Sequence, residues 1–217
     1  MTRSLAVLAT LLVLAGTACT GCTSTVDGHA RPAAGPTATA LPETAAALEA
    51  LLLTDVPSGL PRVPDDELQP PAGEKTIDDV AGYAEDAADQ EGVLQDYGYR
   101  HGWERFWRGD EALTTVFVDQ FDGPMGATSY ADDLVRNDAE YYGGVPDDGP
   151  GALPEGCARM SVDEPDPALG LAGPAAFSWC PHGVFTVAVA AVAGTPEAAR
   201  AEVEAVTLVQ LGRLPRG

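Results

Sequence analysis

Four cysteines are the residues of this chain whose spacing most readily points to chemistry. Cys19 and Cys22 form a Cys-Thr-Gly-Cys segment, whereas Cys157 and Cys180 lie far downstream. A redox pair with this spacing is typical of a segment beside a βαβ unit, and a zinc pair needs a second pair of ligands. A polar stretch follows Cys22 instead. The sequence therefore favours another role for the first pair, with redox and zinc chemistry as the alternatives.

Residues 1–22 have the features of an export signal. Arg3 provides a positive start, residues 5–15 form an apolar run too short to span a bilayer, and small residues suited to a signal peptidase follow. The segment resembles the lipobox of bacterial lipoproteins, in which a cysteine becomes the new N-terminus and carries lipid. The resemblance implies a lipid anchor at Cys22, or alternatively at Cys19, on the extracytoplasmic side of the cell membrane.

The second pair of cysteines predicts a disulfide. If the first pair is lost with the signal or carries lipid, Cys157 and Cys180 remain as an even pair in an oxidising compartment. A bridge that closes a loop of this length stabilises a domain by about 2 to 4 kcal/mol. We therefore predict that the two are bonded, with two buried free thiols as the alternative.

The strongly acidic composition limits the partners. The chain has 12 Lys and Arg residues against 33 Asp and Glu residues, and its formal net charge is −21. Such a surface repels phosphate backbones and anionic headgroups, so we expect no nucleic-acid partner. Contact with the membrane is then expected through the covalent lipid. A solvated, solubilising acidic surface is the simplest interpretation of the charge.

The chain divides into a tether and one domain. Residues 23–42 are rich in Thr, Ala, Gly and Pro without periodic apolar positions, which predicts a flexible tether. Residues 43–217 are numerous enough to form a core and are predicted to be one extracytoplasmic α+β domain. A short helix over 44–53, a Pro- and acid-rich loop to Lys75, and a helix over 77–95 with a capping box are expected first.

Alternating and apolar segments predict most of the sheet in the second part of the domain. Strands are expected at 99–107, 113–121, 158–162, 175–180 and 184–192, and helices at 124–138 and 196–211. We predict a single antiparallel sheet of about five strands with helices packed on one side. Strand, strand and helix recur in the same order, so a ββα pseudo-repeat is an alternative to two independent units.

Aromatic and basic residues recur along the first predicted strand of the hairpin. Side chains two residues apart on a strand point to the same face of a sheet. The five positions concerned are Tyr99, His101, Trp103, Arg105 and Trp107. They predict a ligand groove along one face of the sheet, with burial of the same aromatics in the sheet core as the alternative.

Several turn and aromatic motifs carry a family resemblance over most of the chain. They are the turn Asp55-Val56-Pro57-Ser58-Gly59, the segment Tyr97-Gly98-Tyr99 and the helix start Gly126-Ala127. With the lipobox-like start and the tether, these motifs resemble cell-envelope lipoproteins of actinobacteria. The resemblance implies an envelope location and an extracellular α+β domain, either PsbP-type or like the sensor domain of a mycobacterial kinase. It implies no catalytic residue.

Two classes of function follow from the sequence. We expect a non-enzymatic lipoprotein whose domain binds a small apolar ligand, a cell-wall component or a protein, because no local catalytic, metal or phosphate motif is found. No cofactor is expected. The alternative is an enzyme whose site is assembled from distant residues, for instance His101, His182 and scattered carboxylates. A structural spacer is a third hypothesis.

Overall fold

The computed structural model of the protein describes residues 40–148, 151–164 and 167–216. The expected signal peptide, both candidate lipid-attachment residues, Cys19 and Cys22, and most of the expected tether lie outside these residues. The predictions for that part of the chain therefore remain predictions, as does the boundary at which the domain begins.

The described residues form an α+β domain around one antiparallel sheet. Its six strands are β1 Gly73–Lys75, β2 Tyr99–Arg108, β3 Leu113–Phe121, β4 Ala158–Val162, β5 Ala175–His182 and β6 Phe185–Val192. Their order across the sheet is β1-β2-β3-β6-β5-β4. The strand that the sequence missed is β1, which has three residues and follows a proline-rich loop. Its short length leaves no alternating pattern to detect.

Five α-helices accompany the sheet in the described part of the chain. They are α1 Ala45–Glu49, α2 Ile77–Ala81, α3 Ala87–Asp96, α4 Pro124–Tyr142 and α5 Pro196–Arg213. Thr76 and Asp79 form the expected capping box at the start of α2. The single helix predicted over 77–95 is divided in two, because Gly82 ends α2 and Asp86 caps α3 by accepting a hydrogen bond from the Asp89 backbone N–H.

Helices cover both faces of the sheet, and the prediction that they pack on one side is wrong. On β5, Ser178 Oγ lies 2.7 Å from Thr207 Oγ1 of α5, whereas the next residue, Trp179, donates from Nε1 to Asp138 Oδ2 of α4 at 3.0 Å. Successive residues of a strand point to opposite faces, so α5 and α4 lie on opposite sides. Strands β5 and β6 are apolar on both faces, and burying both requires a helix on each side.

The two faces are named here after these helices. The α5 face carries Trp107, Val116, Val118, Val187 and Val189, which pack with residues of α1 and α5 in one core cluster. The α4 face carries Phe106, Phe117, Phe177, Ala188 and Ala190. The β2-β3-α4 order recurs as β5-β6-α5, but the two helices occupy opposite faces. The structure therefore does not establish the ββα pseudo-repeat.

The predicted disulfide is confirmed. Cys157, just before β4, is bonded to Cys180 on β5 with an S–S distance of 2.04 Å. Both residues are buried in the core cluster of the α5 face. The bond closes a loop with a sequence separation of 23 and fixes the edge of the sheet to its neighbour, which stabilises the fold by about 3 kcal/mol.

Candidate functional site

The aromatic strip predicted as a groove is divided between the two faces of the sheet. The register of β2 against β3 shifts between Tyr99 and His101. Beyond this irregularity, Tyr99 packs against Phe121 on the α4 face, whereas His101 accompanies Gln120 on the α5 face. An extra residue in a strand reverses the direction of the side chains that precede it. Simple alternation counted from the sequence could not include this shift.

The remaining residues of the strip form part of the core of the α5 face, which contradicts the groove predicted there. Trp107 is 1% exposed, and its Nε1 donates to the Thr54 carbonyl oxygen. Arg105 is 4% exposed, and its guanidinium donates to the Leu53 carbonyl oxygen at 2.8 Å and pairs with Glu49 at 3.0 Å. Trp103 is half-buried against the same cluster. The chain between Glu49 and Thr54 therefore covers this strip.

The two histidines proposed as members of a catalytic site do not contact carboxylates by any observed hydrogen bond. His101 Nε2 lies 3.1 Å from Gln120 Oε1, and burial lowers the pKa of its ring. His182 Nε2 is buried without a hydrogen-bond partner in the described part of the chain, and burial lowers its pKa as well. Both residues lie on the α5 face, as their strand positions show.

A cavity of about 580 Å³ opens on the opposite, α4 face. Its floor is the middle of the sheet, and α4 forms one wall. The chain around Gln69 and Leu171 and the end of α2 complete the enclosure. The floor residues Phe106, Phe117, Ala188 and Ala190 are half-buried. This volume lies within the range of about 300 to 1,000 Å³ that is typical of small-molecule sites.

Stacked aromatic rings form the wall of the cavity on the β5 side. The rings of Tyr142 and Phe177 stack with centroids 4.9 Å apart, and those of Phe177 and Trp179 stack with centroids 5.8 Å apart. Leu134 and Leu171 extend this apolar surface. Phe177 and Trp179 are themselves buried, so the wall is a rigid apolar boundary of the cavity.

A buried ion pair lies on the β2 side of the cavity. Glu104 lines the cavity and is 4% exposed. Its Oε2 lies 3.2 Å from Lys75 Nζ, and its Oε1 accepts a hydrogen bond of 2.7 Å from the Tyr83 hydroxyl. Burial raises the pKa of the Glu104 carboxyl, while these two partners oppose the shift. The charge of Glu104 is therefore largely balanced by Lys75.

Asp119 is a second cavity carboxylate, placed beside Glu104 on the neighbouring strand. It is 6% exposed, and its Oδ1 accepts a hydrogen bond of 3.2 Å from the Tyr99 hydroxyl. Burial, and then the charge of Glu104, raises the pKa of Asp119 to about 7. Gly102 faces Asp119 across the two strands, and a Cβ at this position would overlap Asp119 Oδ1. The glycine therefore makes room for the carboxylate.

A third carboxylate, Asp138, enters the cavity from α4. Its Oδ2 accepts the hydrogen bond from Trp179 Nε1. Burial raises its pKa to about 6, and the bond from Trp179 opposes that shift. An apolar cavity with a few polar groups at its margin is the arrangement of many small-molecule sites.

The sequence contained a signal for this site that hydrophobic patterning did not use. Asp119 and Gln120 interrupt an apolar central strand, and Glu104 occupies an interior position of its neighbour. A charged residue at a position that a sheet buries has a large desolvation cost and often marks a functional site. Which face it occupies, and what faces it, depends on strand register.

Comparisons with known proteins place few constraints on this site. The chain is similar to the extracellular domain of PknH from Mycobacterium tuberculosis, with 15% sequence identity, a TM-score of 0.41, and coverage of 74% of this chain and 93% of that domain. No protein-family model matches the chain, and the comparison with curated proteins finds no match. A likeness this distant implies neither a shared ligand nor a shared function.

Among residues 40–148, 151–164 and 167–216, no helix is both long enough and apolar enough to cross a membrane. Within the same ranges, no group of three or more His, Cys, Asp or Glu side chains is arranged to hold a metal ion.

Proposed function

We propose that this protein is an exported lipoprotein, anchored through Cys22 or alternatively Cys19, whose domain binds a small and mostly apolar molecule without transforming it. The observation that carries the binding function is the cavity on the α4 face, with its half-buried apolar floor and stacked aromatic wall. An apolar surface of this kind lowers the free energy when a ligand replaces its water.

The disulfide supports the exported part of the proposal. Bonds such as the one between Cys157 and Cys180 persist in oxidising compartments and are rare in the cytosol. The intact mass of the chain from the membrane fraction of its native host tests the anchor. We expect an acylated chain that begins at Cys22 and whose downstream cysteines react with alkylating agents only after reduction. An unmodified chain that retains residues 1–22 would contradict the anchor.

Binding can be measured with N-phenyl-1-naphthylamine, a neutral probe whose fluorescence rises in apolar surroundings. The full chain carrying Cys19→Ser and Cys22→Ser is suitable, because no lipid can then be attached and compete for the cavity. We expect saturable binding at one site per chain. Ala190→Phe places a ring on the cavity floor and should weaken binding at least tenfold, since the ring occupies the volume that the probe needs.

Leu208→Phe is the matched control. Leu208 is an exposed residue of α5, so this substitution adds the same ring far from the cavity and should leave binding unchanged. Both variants should keep a cooperative thermal transition. The proposal fails if the unsubstituted chain does not bind the probe, or if the two variants weaken binding equally.

The alternative function is an envelope enzyme with a site assembled from distant residues. The residues named for it, His101 and His182, lie on the α5 face, away from the cavity. The cavity carboxylates Glu104, Asp119 and Asp138 would be the candidates for such a reaction instead. We favour binding because the largest part of the cavity surface is apolar and because Asp138 and Glu104 already accept hydrogen bonds from protein groups.

A further inference from the structure

The charges around the cavity do not balance. Three carboxylates line it, those of Glu104, Asp119 and Asp138. Among the described residues, Lys75 is the one basic side chain that forms an ion pair with any of the three, and its partner is Glu104. Asp119 and Asp138 therefore have no cationic partner within the described part of the chain. Asp119 is buried, whereas Asp138 is half-buried. A buried carboxylate without a cation is costly, which points to a charge supplied from outside the protein.

Asp119 shows this imbalance most clearly. The residue is buried to more than nine-tenths, lines the cavity, and accepts one observed hydrogen bond, from the Tyr99 hydroxyl to Oδ1. Its Oδ2 has no hydrogen-bond partner among the described residues. Gly102 leaves room for this carboxylate, because a Cβ at that position would overlap Asp119 Oδ1. One acceptor oxygen of a buried carboxylate therefore lies at the cavity margin.

The surroundings of this oxygen suit an organic cation better than a metal ion. Tyr130 and Phe117 line the cavity near the carboxylates, and the stacked rings of Phe177 and Trp179 form its far wall. Faces of aromatic rings attract ammonium groups and apolar substituents alike. A metal ion would need several further oxygen ligands, and no suitable group of side chains is found in the described ranges.

We propose that the ligand of this cavity is a lipophilic amine, whose ammonium group pairs with Asp119 beside Glu104 while its apolar part lies on the aromatic wall and the sheet floor. This inference rests on the proposed binding function and specifies its substrate class. The pair would be charge-assisted and largely removed from water, which makes it both strong and selective for the cation. An anionic amphiphile would meet carboxylates and be rejected.

Three probes with the same alkyl chain test this assignment. Decylammonium, decan-1-ol and decanoate, each below its micelle-forming concentration, compete with N-phenyl-1-naphthylamine at pH 8 on the chain carrying Cys19→Ser and Cys22→Ser. We expect decylammonium to bind at least tenfold more tightly than decan-1-ol, and decanoate to bind most weakly. The three probes have the same alkyl chain and make the same apolar contacts. The ratio of their affinities therefore measures the contribution of the headgroup.

The substitution Asp119→Asn tests whether this carboxylate causes the preference for decylammonium. The amide has nearly the same shape but no charge, so the preference for decylammonium over decan-1-ol should fall to less than threefold while binding of the alcohol is retained. Asp110→Asn, in the exposed β2–β3 turn, removes one negative charge at the opposite end of the hairpin from Asp119 and is the matched control. It should keep the full preference, because screening weakens the field of a distant exposed charge.

The pH dependence of the unsubstituted chain provides a second measure if Asp119→Asn does not fold. The preference for decylammonium should decline between pH 8 and pH 5, as Asp119 and Asp138 take up protons. Burial also raises the pKa of Glu104, which acts in the same direction. Tyr99, Tyr130 and Tyr83 stay neutral over this range, since burial raises the pKa of each.

Different failures have different meanings. Equal binding of decylammonium and decan-1-ol would overturn the amine assignment and leave the proposed function intact. Failure of all three probes and of N-phenyl-1-naphthylamine to bind would overturn the proposed function itself. A preference that Asp119→Asn and Asp110→Asn reduce equally would show that net charge, and not Asp119, attracts the cation.

Discussion

Helices cover the two faces of the sheet to different extents. On the α5 face, α1 and α5 cover the strands, and residues such as Trp107 and Val116 are fully buried. On the α4 face, one long helix packs against β5 and β6. Phe106 and Phe117 on the same face remain half-buried and form part of the cavity floor. Both faces contain core clusters, but the α4 face also leaves apolar surface uncovered.

Buried charges differ in the same way between the faces. Arg105 on the α5 face is matched by the Glu49 carboxylate and by the carbonyl oxygens of Leu52 and Leu53, so its charge fixes α1 to the sheet. Asp119 on the α4 face accepts a hydrogen bond from the Tyr99 hydroxyl and has no cationic partner among the described residues. Arg105 thus has an opposite charge beside it, although its Nε is buried without a hydrogen-bond partner in the described part of the chain. A buried charge paired with an opposite charge serves structure, whereas one without such a pair is a candidate for recognition.

The largest expected effect is a difference in the free energy of unfolding between substitutions on the two faces. Trp107→Ala should lower the free energy of unfolding by about 3 to 5 kcal/mol, because it removes a fully buried indole. Phe117→Ala should cost about 1 kcal/mol, because the ring is half-buried and its removal enlarges an existing cavity. Urea unfolding followed by far-ultraviolet circular dichroism measures both. Equal losses would show that the two faces contribute equally to the free energy of unfolding, which would contradict the difference described above.

A smaller effect concerns pH and the charge on the α4 face. The pKa of Asp119 in the folded protein, about 7, lies above its ordinary value of 3.8, so the folded state holds more protons between these values. Its contribution to stability is complete below about pH 4 and is lost as the pH rises through about 7. The difference corresponds to at most about 4 kcal/mol, and Glu104 and Asp138 act in the same direction.

Asp119→Asn should therefore be more stable than the unsubstituted protein at pH 8 and nearly equal to it at pH 4. Asp110→Asn controls for the loss of one charge at an exposed position. Thermal unfolding between pH 4 and pH 8 measures the difference at each pH. If Asp119→Asn lowers stability at pH 8, Asp119 is a satisfied structural carboxylate, and the contrast with Arg105 disappears.

Much of the fold could be predicted from the sequence because long, regular patterns determine it locally. The hairpin of β2 and β3, the strands β4 to β6 and the helices α4 and α5 begin and end within a few residues of the expected positions. The disulfide followed from counting cysteines in a chain that was predicted to be exported. Short elements were not predicted. Strand β1 has too few residues to show alternation, and the break between α2 and α3 depends on Asp86 as a cap.

The candidate site could not be predicted in the same way. The five residues of the expected groove were correct as a strand, but a register shift after Tyr99 and the cover provided by α1 place most of them in the core. The cavity lies on the other face and joins residues of α2, β2, β3, α4, β5 and β6, whose proximity no local pattern encodes.

By itself, the sequence determined the α+β class, most strands and helices, the disulfide pair and the acidic surface, because these depend on composition and on contacts between near neighbours. The tertiary structure decided which face each strand residue occupies, where apolar surface remains uncovered, and that Asp119 lies buried opposite Gly102 with no cationic partner among the described residues. These features depend on strand register and on helix packing between distant segments, and both are settled only when the whole sheet is assembled.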